Sequence, residues 1–106
     1  MTIELGPADA GTRRSVNVGE LTTVRLPENP TTGYRWQIPS ENACLRLVED
    51  RFDGAQSPRG AGGDRVLVFE AVRAGSVSLR LMKSRSWENG KPLEEYAVDL
   101  DVQPAT

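Results

Sequence analysis

Apolar and polar residues alternate with a period of two through most of this chain, broken every few positions by turn residues, and no stretch carries a helical period. Successive side chains of a strand point to opposite faces, so such a pattern describes strands with one face in a core and the other in water. The clearest case is the segment 93–102, where Tyr96, Val98, Leu100 and Val102 alternate with Glu95, Asp99 and Asp101. Val77, Leu79 and Leu81 repeat it against Ser78 and Arg80, and Tyr34, Trp36 and Ile38 repeat it against Arg35 and Gln37, which makes Trp36 a core indole. Val16 and Val18 share a face in 13–18, and Val24 and Leu26 share one in 21–26. The Gly19-Glu20 turn between them predicts either a hairpin or a single strand crossing a bend.

Thr2 to Leu5 reads as a short edge strand ahead of the turn-rich segment 6–11. Val66, Leu67, Val68 and Phe69 are apolar on both faces, as in a central strand covered on both sides. In 44–52, Leu45 and Leu47 share a face against Arg46, Val48 is out of phase, and Cys44 reads as a small buried hydrophobe. A chain of 106 residues is long enough for one two-layer core, so the expectation is a single domain over 1–106, an all-β sandwich of about seven or eight short strands.

Composition narrows the function. A formal charge of -2 and a pI near 5.1 supply no electrostatic footprint for nucleic acid or an anionic membrane, and neither is expected as a partner. No apolar run approaches a membrane span and the first residues show no secretory leader pattern, so the expectation is a soluble chain, cytoplasmic as written, with an exported form whose leader has been removed as the alternative; with Cys44 buried, a monomer is expected. The single cysteine makes no internal disulfide. Histidine is absent, which removes the commonest general base and metal ligand, and no metal or cofactor is expected. The carboxylate pairs Glu94-Glu95 and Asp99 with Asp101 alternate with apolar residues and fall on a solvated sheet face rather than in a catalytic site. The chain is not expected to be an enzyme.

Three stretches are poorly explained by folding needs. In Asn29-Pro30-Thr31-Thr32-Gly33-Tyr34, Pro30 restricts its own φ and biases Asn29 towards extended backbone, Gly33 admits a positive φ, and two β-branched side chains with little rotamer freedom stand between them. The segment 53–64 has no apolar periodicity and reads as a long exposed loop. Within it, Gly60-Ala61-Gly62-Gly63 offers backbone that can lie against a partner, and no Lys-Ser/Thr follows to make it a phosphate cradle. Arg85-Ser86-Trp87 sits in the polar stretch 83–92, where an indole either folds back onto the sandwich edge or anchors a partner. Each also reads as an ordinary connection. Sandwich loops between alternate strands gather at one end, which unites these three provided 44–52 is an independent strand.

The order Asn-Pro-Thr-Thr-Gly-Tyr, then Gly-x-Gly-Gly, then Arg-x-Trp resembles the three signature loops of the chagasin-like cysteine-protease inhibitors. The resemblance implies an immunoglobulin-like β-sandwich that blocks papain-family cysteine proteases reversibly and competitively. By that resemblance Asn29, Pro30, Thr31, Thr32, Gly33 and Tyr34 enter the protease cleft, with Thr31 and Thr32 against the catalytic cysteine and histidine. Gly60, Ala61, Gly62 and Gly63 lie along the substrate side by main-chain hydrogen bonds, and Arg85 and Trp87 clamp the opposite wall. Ser86 stands where the family usually has proline, which removes a φ restraint from the third loop. The competing reading is a non-inhibitory immunoglobulin-like module whose end loops bind a peptide or protein.

Overall fold

The computed structural model describes residues 2–29, 33–38, 43–54, 62–85 and 93–104. Among them are eight strands, β1 (Thr2–Leu5), β2 (Arg13–Asn17), β3 (Leu21–Glu28), β4 (Tyr34–Gln37), β5 (Leu45–Asp53), β6 (Gly63–Ala71), β7 (Gly75–Arg85) and β8 (Glu94–Gln103), with one 3-10 turn at Pro7–Asp9. They form two four-stranded sheets, β1-β3-β6-β5 and β2-β8-β7-β4, in an immunoglobulin-like sandwich. The inward sets named from the alternation meet between the sheets: Val24, Leu26, Leu67 and Phe69 from one, Val16, Trp36, Leu79, Leu81, Tyr96, Val98, Leu100 and Val102 from the other.

Tertiary pairing settles what periodicity left open. β2 and β3 are not a hairpin: β2 pairs in parallel with β8, and β3 lies in the other sheet between β1 and β6. Gly19 takes φ 96° at the corner, and its N–H donates to Ala71 O while Val18 N–H donates to Gln103 O, so the backbone changes sheets with its donors satisfied. In β5 the register against β6 shifts between Leu47 and Glu49. Val48 is the extra residue of that bulge. Leu47 pairs with Phe69 ahead of the bulge and keeps the side of Leu45, but on an edge strand it stays 40% exposed, and Val48 is 45% exposed. Cys44 is half-buried against the core, and a Cβ on Gly75 would stand 3.2 Å from its Sγ.

Two expected loops are shorter than their composition suggests. Asp53 and Asp64 are paired partners in β5 and β6, and Lys83, Ser84 and Arg85 continue β7 because β4 pairs with them. Val66 is buried outside the core cluster, between its cross-strand neighbours Arg25 and Arg51, so the central strand is covered on both faces. The carboxylates of β8 each face a cation: Asp101 and Asp99 lie 2.7 and 3.9 Å from Arg13, Glu94 lies 3.7 Å from Lys83 and Glu95 3.6 Å from Arg80. The hydrogen bond from Arg13, followed by one from Ser76, holds the Asp101 carboxyl below its usual pKa.

Tyr96 donates its hydroxyl to Gly6 O at 2.9 Å, and burial, with a contribution from Asp9, pushes the phenol up to about 12. A folded-state pKa above the unfolded one favours the neutral phenol in the native state, so this stabilisation is complete below pH ~10 and is lost as pH rises towards ~12. Denaturant unfolding across pH 9–12 is expected to show a steeper alkaline loss in wild type than in Tyr96→Phe. Parallel curves would contradict the assignment.

Candidate functional site

β3, β5 and β7 all end at the same pole of the sandwich. Pairing of Glu28 with Gly63, Asp53 with Asp64, and Tyr34 with Arg85 sets the ends of β3, β5 and β7 beside the starts of β4 and β6 there. β5 is the independent strand that this convergence required.

Of the residues singled out from sequence, Asn29 follows β3, Gly33 takes φ 82° and Tyr34 opens β4. Gly62 takes φ 79°, and a Cβ there would stand 2.9 Å from Glu28 O and 3.1 Å from Asn29 Cα. Gly62 therefore lies directly against Asn29, where the Thr-rich stretch begins. Gly63 opens β6 where a Cβ would overlap Asp53 O and stand 2.8 Å from Gly54 Cα. The two requirements differ: Gly62 must be glycine for its φ and its neighbour, Gly63 for the neighbour alone. Arg85 closes β7 with its guanidinium carbon 4.2 Å from the Tyr34 ring centroid, a cation–π pair linking the first loop to the third. Pro30, Thr31, Thr32, Gly60, Ala61 and Trp87 lie outside the described residues.

Beneath these loops is a polar cluster that the sequence reading did not pick out. Glu28 is 2% exposed and Arg65 8%. Glu28 Oε1 accepts the Trp36 backbone N–H at 2.8 Å, and Oε2 accepts Arg65 Nε and Nη2 at 3.0 and 2.8 Å. Arg65 Nη1 reaches Asp50 Oδ1 at 3.1 Å, and the Trp36 Nε1–H donates to Pro27 O at 3.0 Å. Burial opposes the charge on Arg65, but Glu28 and Asp50 outweigh it and raise its pKa further above the ordinary guanidinium value. A signal was present: Glu28 continues the inward parity of Thr22, Val24 and Leu26, and Arg65 that of Leu67 and Phe69, so opposite charges end the buried faces of two paired strands. A cavity of about 660 Å³ is lined by Ile38, Leu45, Phe69 and Leu79 with Arg46 and Arg80, away from Glu28, Arg65 and Gly62.

The described residues make a two-sheet sandwich with the ends of β3, β5 and β7 at one pole, above a buried ion pair. The chain belongs to the chagasin family: the description Chagasin family peptidase inhibitor I42 matches residues 15–102. It is 32% identical over 93 residues to Chagasin of Trypanosoma cruzi, covering 82% of this chain and 84% of that protein. It is 29% identical over 92 residues to Amoebiasin-2 of Entamoeba histolytica, covering 83% and 75%. Among solved structures, the cysteine protease inhibitor EhICP2 from Entamoeba histolytica superposes with a TM-score of 0.84 at 21% identity, covering 96% of this chain and 95% of that one. The family is one of inhibitors, not enzymes.

Proposed function

We propose that this peptidase inhibitor blocks papain-family cysteine proteases reversibly and competitively, by setting a wedge of three loops into the active-site cleft. One observation carries the reading: Gly62 against Asn29 and Arg85 against Tyr34 bring the flanks of all three loops together at one pole. In this reading Asn29 to Tyr34 form the central blade, with Thr31 and Thr32 over the catalytic cysteine and histidine, excluding substrate and water. Gly60 to Gly63 pair by main chain along the substrate side. Arg85 and Trp87 form the far wall, Trp87 against an apolar surface. Arg85, stacked on Tyr34, also stiffens the blade from the side. Loops ordered before association lose less entropy on binding, which is where a small wedge finds its affinity.

The direct test is papain kinetics with a fluorogenic peptide substrate. A competitive pattern with tight inhibition is expected. Full turnover at saturating protein would overturn the reading and leave the non-inhibitory binding module. Trp87→Ala is expected to weaken inhibition about 30-fold, the equivalent of about 2 kcal/mol, without changing the unfolding midpoint. An unchanged inhibition constant would remove Trp87 from the interface.

A further inference from the structure

We propose that Glu28 is the positioning residue of the inhibitory wedge, its one buried carboxylate clasping both ends of the Thr-rich loop and tying that loop to the glycine-rich one. The inference rests on the inhibitory reading above and says what holds that site in shape. Glu28 is the last residue of β3, immediately before the loop, and Trp36 lies in β4, just after it. Glu28 Oε1 accepts the Trp36 N–H, and in the reverse sense the Trp36 indole N–H donates to Pro27 O. These two bonds cross the base of the loop and join the two sheets there. The second carboxylate oxygen takes both Arg65 donors, and Arg65 lies in β6 two residues after Gly63. Arg65 continues to Asp50 on β5, so the strands flanking the glycine-rich loop are held by the same group.

The chemistry requires a carboxylate. Glu28 faces a donor on each side, Trp36 N–H on one and the guanidinium on the other, and an ionised carboxylate offers two acceptors and no donor. A glutamine would turn its NH₂ towards one of those donors in either orientation. An aspartate is one methylene shorter. A buried ion pair is an uncertain source of net stability, because desolvation offsets attraction, and its better-supported use is to specify one arrangement. Here that arrangement is the mouth of the wedge.

Stability and positioning are separated by the double variant Glu28→Gln/Arg65→Met. It removes the buried ion pair, leaves the glutamine carbonyl free to accept Trp36 N–H, and returns Asp50, whose side chain is 44% exposed, to solvent. The expected result is a Tm close to wild type, with lower backbone ¹⁵N order parameters at Gly33, Tyr34 and Gly62. The papain inhibition constant is expected to rise on the order of tenfold, mainly through slower association, because fewer molecules hold the competent loop geometry. Unchanged order parameters overturn the proposal, and so does an unchanged inhibition constant where the wild type inhibits. A wild type that fails to inhibit papain sinks the functional reading instead, and the order parameters then decide the positioning role alone. Hydrogen exchange on the unmodified protein needs no variant: the Trp36 amide and indole N–H are expected to be protected like the β8 core amides, and exchange at loop rates overturns the clasp.

Discussion

Replacing Trp36 with alanine is expected to lower the unfolding free energy by about 4 kcal/mol, the scale of a buried large-to-small aromatic change, and to lower Tm by roughly 20 °C. The indole is 5% exposed. It meets Tyr96 edge-on, with centroids 6.5 Å apart and planes at 75°, and the Lys83 ammonium lies 5.5 Å from its ring centroid. Alanine would leave a cavity between the sheets and strip Pro27 O of its 3.0 Å donor. Trp36→Phe keeps part of the volume but not the donor, so a smaller loss is expected there. Thermal unfolding followed by far-ultraviolet circular dichroism measures both. A shift of only a few degrees for the alanine variant would show that Trp36 does not hold the sheets together.

Gly62→Ala is expected to be the most damaging small substitution for inhibition. At φ 79° an alanine is held in the left-handed region, which disfavours it by about 1–2 kcal/mol, and its Cβ would press on Glu28 O and Asn29 Cα, which are backbone and yield reluctantly. The combined effect is about 3 kcal/mol, spent partly on folding and partly on pushing the glycine-rich loop away from the Thr-rich one. Gly11→Ala is the control: Gly11 has φ 80° and nothing within 4 Å of its Cβ position, so it carries the strain without the contact. Below the unfolding range of both variants, papain inhibition is expected to weaken at least about tenfold for Gly62→Ala and to hold for Gly11→Ala. Equal inhibition by the two would mean that the seating of the second loop on the first does not matter.

The alternation was a dependable guide wherever one face of a strand met the core. Tyr96, Val98, Leu100 and Val102 are all buried, as their spacing required. It placed Leu47 on the side of Leu45 but could not give its depth, 40% exposed on an edge strand, and it misled at Lys83 to Arg85, whose polar composition hides a strand that exists because β4 pairs with it. The three stretches stood out because proline, glycine and a tryptophan amid polar residues are conspicuous among strands. Glu28 and Arg65 were overlooked because charged residues at the ends of inward-facing rows look like the start of a loop until the partner strand is known.

By itself the sequence determined which faces are buried, which residues must turn, and that the chain belongs with loop-presenting inhibitors, since these follow from local chemistry and from motifs contiguous in the chain. The tertiary structure alone decided that 13–28 splits across two sheets, that Gly62 abuts Asn29, and that one carboxylate holds Trp36 and Arg65 together. Those are relations between segments distant along the chain, and their geometry comes from strand pairing and sheet packing rather than from any residue's own preference.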